Sequence, residues 1–388
     1  MTVRNIQITL QPNVLRWARE RSGLEIESVA RKVGVKPERV EAWEESGQIT
    51  LPQADKLAHH THTAVGFLYL PEPLEDRLPI SDFRTADDRP LRRPSPELLD
   101  TVQLMQRRQS WMRDELIEKG NEPLKFVGSV GLNVRPREVA GDMRTWLGLE
   151  LHWASAERTW TDALRRLRGD IEAIGVLIVA NGVVENNTHR KLDPDEFRGF
   201  ALVDEYAPLI FVNNADFKAA QMFTLVHELA HVWTGAEGVS NFRQKFLPLP
   251  HEMEQFCNKV AAEFLVPEDE LRVVWERAQS EEEPYEFLAR YFKVSTLVAA
   301  RSVLELELID QTTYFEFYRA WQEDERRVQI SGDGGGNFWN NQNFRIGKPF
   351  GSAVVRAVRE GRLLYRDAYS LTGLKGKTFN ELVQRYGD

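Results

Sequence analysis

Two histidines and a glutamate within five residues carry the densest chemical information in this 388-residue chain. The run is Met222-Phe-Thr-Leu-Val-His227-Glu228-Leu-Ala-His231-Val-Trp233. On a helix, His227 and His231 stand one turn apart, so both imidazoles leave the same face and can share one divalent ion. A Zn²⁺ held by such nitrogens lies about 2.0–2.1 Å from each. Glu228 projects about 100° round from His227, near enough to take a proton from water at the metal without ligating it. Phe223, Leu225, Val226, Leu229 and Val232 make the rest of the helix apolar, so burial would hold the ligands rigidly. The competing reading is a hydrogen-bonded pair of core histidines. Histidine is scarce in the chain, at 8 residues. At that frequency the spacing arises by chance in roughly one such chain in a hundred.

Hydrolytic zinc sites keep three protein ligands and one open position. The segment His251-Glu-Met-Glu254-Gln-Phe-Cys257-Asn258-Lys-Val-Ala-Ala-Glu263-Phe-Leu-Val-Pro267 reads as a second helix stopped at Pro267. It offers Glu252, Glu254 and Glu263. Glu254 and Glu263 are nine positions apart, hence about 180° apart, and cannot both face the metal. Asn258 follows Glu254 by one turn, and its amide can accept the second N–H of a ligating histidine. Glu252 is followed one turn later by Phe256. Glu254 is therefore the expected third ligand, with Asn258 in support. Cys257 is a fourth-ligand or redox-sensitive candidate by position, with a small buried hydrophobe as the simpler reading. Transition-state charge needs a donor besides the metal, and His189, Arg198, Tyr206 and His251 are the candidates.

The elements that must position these residues change character along the chain. The first 70 residues are helical in pattern. Val14, Leu15, Trp17 and Ala18 form an apolar stripe after Pro12. Two further helices, Glu25–Val33 and Lys36–Glu45, flank Gly34, with Ala30, Val35, Val40 and Trp43 at packing positions. This spacing resembles the Cro/repressor-type (XRE) helix-turn-helix family. A proline-rich connector from Pro71 to Pro96 and a long helix, Glu97–Lys119, follow. Gly175–Val179 then reads as a central strand, and Phe200–Val203 and Leu209–Val212 as a hairpin-like pair. Helix dominates from Lys218 to about Glu325, and Gly332-Asp-Gly-Gly-Gly336 reads as a linker. The expected domains are 1–70, 71–125, 126–325 and 326–388, the last a mostly helical C-terminal region.

Arg198-Gly-Phe-Ala-Leu, Pro208-Leu-Ile-Phe-Val-Asn213, the His227–His231 helix and Glu254-Gln-Phe-Cys-Asn…Ala-Ala-Glu-Phe-Leu-Val-Pro267 together resemble the ImmA/IrrE family of metallopeptidases. The resemblance implies a multidomain α+β fold: an all-α helix-turn-helix domain, then a zincin-like metallopeptidase domain with a small sheet and the HExxH helix. It further implies one Zn²⁺ per chain on His227, His231 and Glu254, with Glu228 as general base. The implied activity is endopeptidase cleavage of a regulatory protein such as a repressor or antitoxin. The alternative is a non-catalytic transcriptional regulator or antitoxin using the same fold to bind a partner such as a toxin.

Composition bounds these readings. With 42% hydrophobic and 28% charged residues the chain is globular in type, and a net charge of −9 argues against a protein that coats nucleic acid. A single cysteine excludes an intrachain disulfide and fits a reducing, cytoplasmic setting. The longest apolar run, Ala173–Ala180, is eight residues, well short of the roughly 20 a membrane span needs. Residues 1–70 carry nine basic and eight acidic side chains, against the basic footprint of a DNA reader. Lys36 and Arg39 are the candidate DNA or partner contacts, opposed by Glu38, Glu41, Glu44 and Glu45 on the same helix. Protein docking or homodimerisation is the expected use of this unit as much as operator binding.

Overall fold

The computed structural model describes residues 6–75, 77–82, 93–240, 252–323 and 338–386. The glycine cluster Gly332–Gly336 and His251 lie outside the described residues. The chain divides into two compact units, Met1–Pro79 with Asp88–Val102, and Ile80–Asp87 with Gln103–Asp388.

The first unit contains β1 (Gln7–Thr9), α1 (Pro12–Arg21), α2 (Ile26–Val33), α3 (Pro37–Ser46), β2 (Gln48–Thr50) and α4 (Leu51–His60). Proline at the first turn opens α1 and α3, where its missing N–H costs nothing. Gly34 ends α2 at φ 84°, a left-handed conformation that glycine adopts without steric cost. The core gathers Val14, Leu15, Trp17, Val29, Val33, Val40, Trp43 and Leu57. The unit is not all-α as expected. β1 and β2 pair antiparallel, with Ile8 opposite a fully buried Ile49. Gly47 lets the chain turn into β2, since a Cβ there would fall 1.9 Å from the Leu10 carbonyl oxygen.

Glu44 departs from its expected place on the exposed face of α3. It is buried and accepts from Arg19 Nε at 2.6 Å and Arg19 Nη2 at 3.0 Å. The exposed charges on and beside this helix are Lys36, Arg39, Glu38, Glu41 and Glu45, a smaller acidic excess than the sequence implied.

Further along the chain, α5 (Pro96–Glu118) starts in the first unit and enters the second at Gln103. The second unit continues with α6 (Pro136–Leu147), α7 (Trp160–Ala173), β3 (Leu177–Asn181), β4 (Val183–Val184), β5 (Asn187–Lys191), β6 (Gly199–Leu202) and β7 (Leu209–Asn213). Next come α8 (Lys218–Thr234), β8 (Gly238–Ser240), α9 (Glu252–Leu265), α10 (Glu268–Ala278), α11 (Pro284–Phe292), α12 (Thr296–Glu305) and α13 (Gln311–Glu323). The unit ends with α14 (Phe338–Ile346), α15 (Lys348–Arg359), α16 (Tyr365–Thr372) and α17 (Gly376–Tyr386).

Its main sheet runs β3-β7-β6-β8, with β3 parallel to β7 and β6 antiparallel to both neighbours. β3 is thus an edge strand, although its unbroken apolar run suggested a central one. The reason is that α7 and α14 pack on it, and the buried Arg168 donates to the Ile178 carbonyl at 2.9 Å, as a neighbouring strand would. All five β3 residues are consequently buried. The C-terminal helices share this unit. Asn186, in the turn between β4 and β5, accepts from Gln342 at 2.7 Å and Arg345 at 3.1 Å, and donates to the Gly373 carbonyl at 3.3 Å. Among the described residues no helix is long and apolar enough to cross a membrane.

Candidate metal centre

α8 is buried along its length from Gln221 to Trp233, because it lies on β6 and β7 and is covered by α7 and α9. A helix hydrophobic all round is one enclosed on every side. Gly235, at φ 74°, ends it, with its N–H on the Val232 carbonyl. Trp233 fixes the same end, stacking on Phe126 at 4.3 Å and donating to Asp142 at 2.9 Å. The two histidines therefore sit on a support with little freedom to shift.

α9 crosses α8 and brings Glu254 to the histidines. His227 Nε2 and His231 Nε2 are 3.1 Å apart, and the Glu254 oxygens lie 3.3 Å from the first and 2.9 Å from the second. Ligands about 2.0–2.1 Å from a tetrahedral zinc are separated by about 3.3 Å, so the three donors already stand at metal-binding spacing. All three residues are 2% exposed or less. Glu252 is exposed, and Glu263 is turned away to accept the Glu268 N–H at 3.1 Å. Asn258 stands one turn beyond Glu254 on the same helix, and its amide favours the charged form of the His227 ring.

The electrostatics of the cluster favour a cation. Burial alone would push the Glu254 carboxyl up, but the adjacent imidazoles outweigh it and hold the group below the usual carboxylate range. Burial opposes the imidazolium of His231, yet the contacts with Cys257 and Glu254 raise it to about 10. His227 is raised too, with Glu254 and Glu228 overcoming its burial. A buried carboxylate beside two imidazoles thus calls for positive charge at its centre, and two neutral imidazoles with one carboxylate are a donor set that zinc accepts. The residues present fit the metal.

Glu228 is fully buried on the adjoining part of α8. It fits against β6 because position 199 is glycine. A Cβ there would come 2.7 Å from Thr224 Cγ2, 2.8 Å from the Phe211 carbonyl oxygen and 3.1 Å from Glu228 Oε1. Sequence reading passed over Gly199, though an isolated glycine inside a strand pattern is the usual sign of a close approach. Of the charge-stabilising candidates, His189 is exposed on β5, Arg198 pairs with Asp216 at 3.3 Å, and Tyr206 lies in the β6–β7 turn.

Residues 171–303 match the Peptidase M78 family model, described as the IrrE N-terminal-like domain. The match takes in the four-stranded sheet, α8 and α9. This part of the chain is therefore similar to metallopeptidase domains of the ImmA/IrrE kind. Residues 346–385 match a family described only as a domain of unknown function. Among curated proteins no match was found.

Proposed function

We propose that this chain is a zinc-dependent endopeptidase that cleaves one regulatory protein of the repressor or antitoxin kind. His227, His231 and Glu254 hold one Zn²⁺, and Glu228 is the general base. The observation that carries the reading is the buried convergence of the three donors at zinc spacing, with a second carboxylate, Glu228, buried on the helix of the two histidines and not among the donors.

Zinc held by His227, His231 and Glu254 would supply Lewis acidity, making water there more acidic and polarising the scissile carbonyl. Glu228 takes the proton released as water attacks and delivers it to the leaving nitrogen. Asn258, one turn beyond Glu254, would accept the second N–H of the His227 ring and so keep Nε2 toward the ion. A site held by two packed helices and a strand keeps these groups aligned without reorganisation during the reaction.

The first unit, read as a helix-turn-helix, serves as a docking module for the protein partner. Lys36 and Arg39 are its candidate contacts, and Glu38, Glu41 and Glu45 beside them disfavour a DNA backbone.

Elemental analysis of wild type, His231→Ala and Glu254→Ala tests the metal. The expected result is one zinc per chain in wild type and its loss in both variants. Glu228→Gln tests catalysis: zinc stays, and new protein termini in a cell extract incubated with the enzyme fall by about 10²–10⁴. Wild-type cleavage by Glu228→Gln would remove the general base. Undiminished function without cleavage would mark a non-catalytic regulator that binds a partner such as a toxin.

A further inference from the structure

Where the β4–β5 turn meets α16 and the start of α17, the second unit holds a cleft of about 880 Å³. Glu185 lines it from the turn, Arg366, Tyr369 and Ser370 from α16, and Lys375 and Thr378 from around the start of α17. Its two walls belong to segments matched by different families, 171–303 and 346–385. Ligand clefts form preferentially at junctions of this kind, with volumes of about 300–1,000 Å³.

The walls are fixed by groups that are fully engaged. Asn186 accepts from Gln342 and Arg345 and donates to the Gly373 carbonyl, so the turn is tied to the end of α16. The buried Arg108 donates to the carbonyls of Leu371 at 2.8 Å and Arg345 at 2.7 Å. The Tyr369 ring packs on Phe379 at 5.2 Å and on Tyr365 at 6.1 Å. Glu185 is held at φ 52°, a left-handed conformation that a residue with a side chain seldom adopts, and its carbonyl accepts from Asn181 at 2.7 Å. Strained backbone of this kind persists where the surroundings enforce it. The groups facing the cleft are uncommitted by comparison. Among the described residues Lys375 makes no ion pair, and the hydroxyls of Tyr369, Ser370 and Thr378 make no hydrogen bond. Arg366 pairs with Asp367 at 3.3 Å on the open surface.

Charge sets the kind of ligand. Residues 338–388 carry nine Lys and Arg against four Asp and Glu, in a chain whose net charge is −9. We infer that the cleft binds a small phosphorylated molecule bearing hydroxyl groups, of the sugar phosphate or nucleotide kind. Arg366 and Lys375 take the phosphate through charge-assisted hydrogen bonds, and Glu185 accepts from the hydroxyls. A bare anion would be repelled by Glu185, so a neutral polar part of the ligand lies beside it. A nucleic-acid strand suits the cleft less well, because Glu185 interrupts the positive lining and the volume encloses one nucleotide-sized unit. The inference is independent of the zinc reading.

Isothermal titration of the full chain with ribose 5-phosphate, AMP, ribose and inorganic phosphate tests it. Lys375→Gln, Arg366→Gln and Glu185→Gln stand beside wild type, and Arg356→Gln, exposed on α15 outside the cleft, controls for general charge. All four side chains are exposed, so the variants should melt with wild type. The expected result is that ribose 5-phosphate or AMP binds about 10–100-fold more tightly than ribose or inorganic phosphate. The tighter of the two separates a sugar phosphate from a nucleotide. Lys375→Gln and Arg366→Gln should each weaken that ligand by about tenfold, with Arg356→Gln within a few-fold of wild type. Glu185→Gln should weaken it too, yet leave inorganic phosphate no weaker. The inference is overturned if neither phosphorylated probe binds, if inorganic phosphate binds as tightly, or if Arg356→Gln loses as much as Lys375→Gln. A single-stranded oligonucleotide that binds where both monomers fail would make the C-terminal helices a nucleic-acid surface instead.

Discussion

The Gly199 backbone faces Glu228 so closely that a methyl group there would begin 3.1 Å from the carboxylate oxygen. The same methyl would meet the Phe211 carbonyl, which belongs to the strand paired with β6 and cannot move independently. Gly199→Ala therefore forces either β6 or Glu228 to shift. The expected cost in stability is about 1–3 kcal/mol, as for other overpacked sites. Displacement of the base by even part of an ångström should lower cleavage by about 10–100-fold. Zinc content should be unchanged, because no ligand comes from β6. Wild-type cleavage in a folded Gly199→Ala protein would show that Glu228 has room to spare.

The spacing of His227, Glu228 and His231 was legible because a helix turns every few residues and the motif lies inside one helix. Glu254 was legible for a related reason: nine residues of separation eliminated Glu263, and Asn258 marked the inward face. The expected helices α1, α5 and α8 agree with the structure within a few residues, since their apolar stripes and prolines are local signals. What escaped is non-local. The edge position of β3 depends on Arg168 and α14, the latter more than 150 residues away in sequence. The burial of Glu44 depends on Arg19, 25 residues away on another helix. β8 is short and owes its pairing to β6, which lies before α8 in sequence, while the β4–β5 turn is held by Gln342 and Arg345 on Asn186.

Glu44 and Arg19 join α3 to α1 inside the first unit. Removing one partner of a buried pair leaves a charge without compensation, which costs several kcal/mol when burial is complete. Here Arg19 keeps some exposure, at 12% of its side chain, so the expected loss for Glu44→Ala is about 2 kcal/mol. Thermal unfolding of wild type, Glu44→Ala, Arg19→Ala and the double variant would measure the coupling. If the single and double variants differ by simple addition, the pair contributes nothing beyond its separate side chains.

Glu115 offers a pH-dependent contact in the second unit. Burial pushes its carboxyl up, but hydrogen bonds from Arg362 and Lys119 outweigh this and lower it below its ordinary value. Arg362 Nη2 reaches it at 3.0 Å and links α5 to the chain between α15 and α16. A group with a depressed folded pKa contributes stability above its unfolded pKa, about 4.3 for glutamate, and loses it as pH falls through the folded value. Glu115→Gln should therefore melt below wild type at pH 7, and the gap should narrow as pH drops below about 4.3. A gap that stays constant to pH 3 would show that the ionised carboxylate is not what holds these elements together.

Zinc removal should destabilise the second unit specifically. Without the ion, two imidazoles and a carboxylate, each 2% exposed or less, must share protons among themselves. A ligand that binds only the folded state adds about 4 kcal/mol when its free concentration is a thousand times its Kd. Dialysis against a chelator should thus lower the melting temperature of wild type, and added zinc should restore it. Binding also requires deprotonated donors, so the zinc-dependent increment should shrink as the pH falls and protons compete for His227 and His231. Glu254→Ala supplies the control: its melting temperature should respond little to chelator or to zinc. An equal response in Glu254→Ala and wild type would place the stabilising metal somewhere other than these three residues.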